Sequence, residues 1–277
     1  VLEEDIALSN VALDHIGQAR ALLTHAGSLH ASRAGGQAYD EDQLAFLRAE
    51  GDFRNVTLAE LPLRRGGGDF ADTVVRNLLL STWFKLWWQR LQSSADETLA
   101  GIAGKALKEA RYHQSHAAQW VVRLGDGTDE SAARMRKALA RAWPYVPELF
   151  EADAVDAAAV ASGIGPATSD LHPQWSTEIA AVLKDANLTA PAATAFRSTG
   201  RRGVHSEHLG YLLAEMQVLQ RSYPGGGVVR GLAGLSTRVG AAWRVLQGVP
   251  DPELPAVSLV ELGIVREVRD EGDDLEV

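Results

Sequence analysis

The segment from Leu99 to Leu124 restricts this chain more than any other. Leu99, Ile102, Ala103, Ala106, Ala110, His113, Ala117, Trp120, Val121 and Leu124 recur at steps of three or four almost throughout, which is one face of an α-helix. Lys105, Lys108, Arg111 and Gln114 fall on the opposite side. At about 1.5 Å per residue the segment is about 39 Å long, the length of a bundle helix. Nothing before the last twenty or so residues reads as strand. The expected fold class is therefore all-α, a helical bundle.

His113 lies inside the apolar stripe of that helix, one turn from Ala110 and one turn from Ala117. Bundles that hold a di-iron pair place Glu-x-x-His on such a helix, so that a carboxylate and an imidazole reach the metal from adjacent turns. Here the residue three before His113 is Ala110, and a methyl group cannot ligate iron. The nearest carboxylate, Glu109, lies about 100° away around the axis. The first helix offers Asp14, but Gly17 stands three residues on, where a second imidazole would be needed. The Phe70–Leu91 segment has Asn77 and Ser81 where a metal site would want Asp or Glu. Asp14, Gly17, Ser81, Glu109, Ala110 and His113 therefore read as vestigial core positions. The bland reading makes His113 a core histidine bonded to a neighbour such as Asp14 or a backbone carbonyl. The sharper alternative is a metal-binding oxidase or oxygenase in its own right, with an atypical site around His113, Glu109 and Asp14.

The rest of the chain punctuates into further helices. One runs from about Leu2 to Leu29, with Ile6, Val11, Leu13, Ile16, Leu22, Leu23 and Ala26 expected on its buried side. Asp40, Glu41 and Asp42 open a short acidic one. Asp69 is placed to cap a helix over Phe70–Leu91, and Gly125 to end the central one. A helix over about Glu130–Phe150 is interrupted by Pro144 and Pro147, and shorter ones follow over Gln174–Leu188 and His205–Arg221. Gly66-Gly67-Gly68 is a turn. It lacks the leading strand and the Lys-Ser/Thr of a phosphate loop. Pro224-Gly225-Gly226-Gly227 is the clearest linker, which divides the chain into 1–223, 224–227 and 228–277. Beyond it, Val228–Gln247 has helical character, Pro250–Pro255 forbids helix, and Val257–Val277 is strand-like, too little to close a core alone.

Composition closes off several classes. No cysteine is present, so disulfides, thiolate zinc sites and cysteine-held iron–sulfur clusters are excluded within this chain. A net charge of −9 argues against broad nucleic-acid or anionic-membrane binding, although Arg197, Arg201 and Arg202 form a local basic group. No run is long and apolar enough to span a membrane. The cytoplasm is the expected location. The chain starts at Val1 inside a helical pattern, and further residues upstream are expected.

A second rich segment places His205, His208, Leu212, Glu215 and Leu219 on one stripe, with Glu207 beside it. Two histidines at i, i+3 and a glutamate two turns on could hold zinc. The His-Glu-x-x-His order of a metalloprotease is missing, however. His205, Glu207, His208 and Glu215 are therefore expected as a polar seam packing on another helix or subunit.

Several strings taken together resemble the C-subunit family of bacterial ring-1,2-phenylacetyl-CoA epoxidases. They are Leu2-Glu3-Glu4-Asp5-Ile6-Ala7-Leu8-Ser9-Asn10, Leu13-Asp14-His15-Ile16-Gly17-Gln18-Ala19-Arg20 and Asp69-Phe70-Ala71-Asp72-Thr73. They continue through Lys108-Glu109-Ala110-Arg111-Tyr112-His113, Leu124-Gly125-Asp126-Gly127-Thr128-Asp129 and His205-Ser206-Glu207-His208-Leu209-Gly210 to Gln220-Arg221. The resemblance implies a ferritin-like bundle that lacks the first helix of its relatives. It also implies a structural subunit with no cofactor of its own, paired with a catalytic A subunit that carries the di-iron centre. Further B and reductase components are implied, and neither nucleic acid nor membrane. The stretch from Val249-Pro250-Asp251-Pro252 to Leu262-Gly263-Ile264-Val265 resembles the opening of the D component of the same pathway. That component belongs to a small α/β family linked to iron–sulfur assembly. The tail is expected to be an incomplete piece of it.

Overall fold

A computed structural model describes residues 2–34, 41–62, 69–222, 237–249, 268–271 and 274–276. In chain order the helices are α1 (Leu2–Ala34), α2 (Glu41–Phe46), α3 (Thr57–Glu60), α4 (Phe70–Leu91), α5 (Glu97–Gly125), α6 (Asp129–Ala142), α7 (Ala154–Ala161), α8 (His172–Asp185), α9 (Glu207–Ser222) and α10 (Thr237–Gln247). The two prolines that interrupt the segment after Leu139 have the anticipated effect. α6 stops at Ala142, and Trp143–Phe150 continues as 3-10 helix, which accommodates Pro147 where an α-helix would lose a hydrogen bond.

Local chemistry sets the boundaries of the long helices. The Asp69 carboxylate accepts from the Ala71 N–H at 3.0 Å and starts α4. Asp96 does the same for Leu99 at 3.0 Å and starts α5. Thr128 and Ser131 exchange hydrogen bonds in a capping box that opens α6. α5 ends where the chain must pass another backbone. A Cβ added at Gly125 would sit 2.5 Å from the Ala186 carbonyl oxygen, so no larger residue fits.

α4 and α5 form the antiparallel centre of the bundle, joined by residues 92–96. Val74, Val75, Leu78 and Leu79 of α4 pack with Ala117 and Val121 of α5, with Met135 and Leu139 of α6, and with Trp175 and Ile179 of α8. At the other end Trp88 and Leu91 meet Ala103, Ala106, Leu107 and Ala110. Each fully buried aliphatic side chain contributes about 1.5–3 kcal/mol of transfer free energy. The alanines on α5 let α4 approach closely, so the large side chains come mostly from one helix. Two indoles fasten the layers: the half-buried Trp83 donates from Nε1 to the Leu149 carbonyl at 2.9 Å, and the buried Trp175 from Nε1 to that of Leu79 at 3.0 Å. Lys85–Glu178 and Arg141–Asp72 add ion pairs between α4 and its neighbours. The architecture is an all-α ferritin-like bundle.

The first helix corrects the sequence expectation. Ile6 is 52% exposed and Ile16 63%, and Ala26 is exposed as well. The side of α1 that faces α5 carries Glu4, Leu8, Val11, His15, Gln18, Leu22 and His25, four of the seven polar. Val11 and Leu22 lie on this side as expected, whereas hydrophobic periodicity missed the polar residues between them, which are satisfied by partners rather than by apolar burial.

The chain separates into two compact units, Val1–Glu215 and Met216–Val277. In the second, Val239 and Trp243 of α10 pack with Val268. Residues Arg269–Glu271 (β1) and Asp274–Glu276 (β2) pair antiparallel, with Arg269 opposite Glu276 and Glu271 opposite Asp274. The Gly66–Gly68 turn, the 224–227 linker, the proline-rich 250–255 stretch and the string ending at Val265 lie outside the described residues.

Candidate functional site

α1 runs antiparallel to α5 and is fastened to it by a ladder of polar rungs. His116 Nε2 meets Glu4 Oε2 at 3.0 Å, and His113 Nε2 meets Asp14 Oδ2 at 2.8 Å. Gln18 Nε2 donates to Glu109 Oε2 at 2.8 Å. His25 Nε2 meets Asp96 Oδ2 at 2.8 Å, so the N-cap of α5 also anchors the far end of α1. The seven-residue spacing Glu4, Val11, Gln18, His25 is the sequence signal for this seam. It was hidden because three of those four residues are polar.

The six positions singled out in the sequence separate into four groups. His113 is 3% exposed and bonded to Asp14, whose side chain is 35% exposed at the seam's edge. Glu109 is held by Gln18, with Lys105 at 3.7 Å on the same helix. Ala110 and Ser81 are buried, Ala110 against Trp88 and Leu91, Ser81 donating weakly to the Leu78 carbonyl at 3.5 Å. Gly17 is not a core position. It is exposed, and a Cβ there would meet nothing within 4 Å. Gln18, one residue on, is the inward-facing group.

These residues do not fit a metal pair. Both inward carboxylates are already accepting, Asp14 from an imidazole and Glu109 from an amide. A methyl and a hydroxyl, from Ala110 and Ser81, stand at the other positions. Among the described residues no three His, Cys, Asp or Glu side chains are grouped so as to hold a metal ion. The space between α1, α4 and α5 is a small cavity of about 50 Å³. His15 packs its ring 5.1 Å from that of His113 and 5.6 Å from Phe84. Burial, and then the neighbouring His113, hold its pKa below the ordinary 6.5.

A second polar cluster lies apart from this seam. Glu148, 2% exposed, accepts from Thr57 N–H at 2.9 Å, Ser198 Oγ at 2.6 Å and Arg201 N–H at 2.9 Å. One carboxylate thus ties α3, the 3-10 segment and the 198–201 strap. Gly200 sits so close that a Cβ would lie 2.5 Å from the Asn55 carbonyl. His205 belongs here. Its side chain is buried, with Nε2 donating to the Phe53 carbonyl at 3.1 Å and Nδ1 3.5 Å from Glu60 Oε1. Burial pushes the Glu60 pKa up. His208 is half-buried and Glu207 and Glu215 are exposed, so the structure does not gather His205, His208 and Glu215 into one site.

The basic group is neutralised. Arg201 meets Asp156 at 2.6 Å and Asp153 at 3.6 Å, while Arg197 and Arg202 approach Glu151 at 3.9 and 3.8 Å. No described helix is long and apolar enough to cross a membrane. A pocket of about 470 Å³ between the 3-10 segment and α8 is lined chiefly by Trp143, Phe150, Trp175, Ile179 and Leu183, with Glu151 and His172 also on its wall.

Comparison with known proteins agrees with this architecture. Residues 1–227 match the family model described as phenylacetic acid catabolic protein. Over 224 residues the chain is 43% identical to the C subunit of the 1,2-phenylacetyl-CoA epoxidase of Escherichia coli (strain K12), a match covering 81% of this chain and 86% of that protein.

Proposed function

The chain belongs to the phenylacetic acid catabolic protein family, and from that premise we propose that it acts in phenylacetate breakdown as a structural subunit of a multisubunit phenylacetyl-CoA 1,2-epoxidase. In this reading it pairs with a related catalytic A subunit that holds the di-iron centre, and does no chemistry itself. The relative's name places that protein among the subunits of an epoxidase. Oxygen activation and ring epoxidation belong to the partner. B and reductase components complete the assembly, with electrons from NADPH.

The observation that carries the proposal is what fills the bundle's polar centre. An imidazole and a carboxylate, His113 and Asp14, bond to each other, and Ala110 occupies the position of a ligand one turn away. Self-satisfied pairs hold helices together but leave no donor set free for a metal. The role left to this chain is to present a stable bundle surface.

The test mixes the purified chain with an A-type subunit. A stable complex is expected, with oxygen-dependent epoxidation of phenylacetyl-CoA only when the catalytic subunit and the reductase are present. Stoichiometric iron in this chain, or turnover of the thioester by it alone, would overturn the assignment.

A further inference from the structure

α3, the first half of α4 and the last turn of α6 line a pocket of about 310 Å³. Leu58, Leu61, Ala138 and Tyr145 supply apolar wall, and three charged side chains are set into it, Asp72, Arg76 and Arg141. None of these residues takes part in the seam between α1 and α5. The volume stands at the lower end of the ~300–1,000 Å³ of small-molecule sites, which suits a compact ligand.

Two of the three charges cancel. Arg141 donates to Asp72 Oδ1 from Nε at 2.9 Å and again from Nη2. The Arg141 side chain is 45% exposed, so this pair sits toward solvent. Arg76 is left over. Its Nη1 donates to the Leu61 carbonyl at 2.9 Å, and among the described residues that is its one hydrogen bond, with no ion pair. Leu61 is itself a wall residue, which sets the guanidinium at the pocket. Burial holds the Arg76 pKa below its ordinary value, and Asp72, one turn back on α4, offsets that only in part. A guanidinium carries five donors in a planar fork that matches a carboxylate. With one donor spent on Leu61, the rest of the fork meets no protein acceptor, and none of its nitrogens is sealed away from the surroundings.

We propose that this pocket binds a small monocarboxylate with an apolar body, its carboxylate paired with Arg76 and its body against Leu58, Leu61 and Tyr145. Charge sets the class. Two guanidiniums and one carboxylate leave a single positive charge on the wall, the complement of one carboxylate. A doubly charged phosphate would bring its second charge against Asp72 with no cation left to meet it. The wall sets the body. An acidic side chain entering from another protein would satisfy Arg76 but leave most of the apolar surface bare, whereas a ring or short alkyl chain covers it.

The inference goes beyond the subunit assignment and does not rest on it. An empty pocket would leave the pairing standing, and failure to pair with a catalytic partner would leave the pocket's ligand in place. The test is calorimetric titration of the full chain at pH 8 with benzoate, benzamide and phenyl phosphate as probes, and a crystal structure of the benzoate complex. One equivalent of benzoate is expected to bind, less tightly as salt is added. Benzamide has the same shape without the charge and should bind about tenfold or more weakly, and phenyl phosphate should bind no tighter than benzoate. In Arg76→Met, checked for folding by its melting curve, benzoate affinity should fall about tenfold or more. The crystal should show the carboxylate on Arg76 and the ring beside Tyr145. No benzoate binding, equal affinity for benzamide, a preference for phenyl phosphate, unchanged affinity in Arg76→Met, or a ring placed elsewhere in the molecule would each overturn the proposal. Should the variant fail to fold, the three probes and the crystal of the unmodified chain decide the matter.

Discussion

At the scale of single residues the seam is a set of groups that satisfy one another, and its weak points follow from burial. Removing the Asp14 carboxylate leaves the buried His113 Nε2 without its partner. Asp14→Ala is therefore expected to lower stability by about 1–3 kcal/mol in urea unfolding. Lys108→Ala on the exposed face of α5 should stay within about 0.5 kcal/mol. His15 gives a pH dependence of definite sign. Its folded pKa lies below the 6.5 of an unperturbed imidazole, mainly through burial, so the unfolded chain takes up the proton first. The neutral ring's contribution is complete above about pH 6.5 and is lost as the pH falls toward the folded value. His15→Phe should flatten that part of the stability–pH curve, and an unchanged slope would remove His15 as its source. Of these residues His113, Asp14 and Glu109 were legible in the sequence because each stands beside or within an apolar stripe. Glu60 and Glu148 were not. A buried glutamate whose partners come from distant segments, such as Thr57 and Ser198 for Glu148 and Ser206 for Glu60, leaves no local pattern.

At the scale of elements the contrast is between helices joined by packing and helices joined by pairs. α4 and α5 were readable almost to the residue, because Asp69 and Gly125 act through backbone chemistry that needs no tertiary knowledge, whereas the helix expected to reach Phe150 stops as α6 at Ala142. α1 was readable as a helix but not in its orientation. Its exposed Ile6 and Ile16 mimic a core stripe, and its contact face mixes Leu8, Val11 and Leu22 with polar residues. Few apolar contacts hold α1 down, so its amides are expected to exchange with solvent faster than those of α4 and α5, which hydrogen-exchange mass spectrometry can compare directly. Equal protection would show that the polar rungs do as much as the alanine–leucine core. At the strap from Ser198 to Ser206, one side chain accepts three hydrogen bonds. Glu148→Ala leaves the Thr57 and Arg201 amides and the Ser198 hydroxyl without their acceptor, and a loss of about 3–5 kcal/mol is expected. Faster exchange should appear at 198–206 first, before it appears in α8.

At the scale of the whole molecule, the proposed role as one subunit of a pair has a thermodynamic consequence. A partner that binds only the folded chain stabilises it by mass action, by about 2.7 kcal/mol at a hundred times the dissociation constant. The unfolding midpoint of this chain should therefore climb as an A-type subunit is titrated in, and stay level with an unrelated helical protein. Family and fold class were legible because the matching strings are spread from Leu2 to Arg221. A change of composition after Tyr223 is the sequence's sign of a division, and the linker it marks lies outside the described residues. The placement of the indoles has a practical outcome. Trp83, Trp87, Trp88, Trp120, Trp143 and Trp175 all belong to the first unit, and Trp243 alone to the second. Intrinsic emission therefore reports almost solely on the bundle, and a Trp243→Phe variant would make the optical signal blind to the tail, so that melting of the two units can be followed separately by light and by heat capacity.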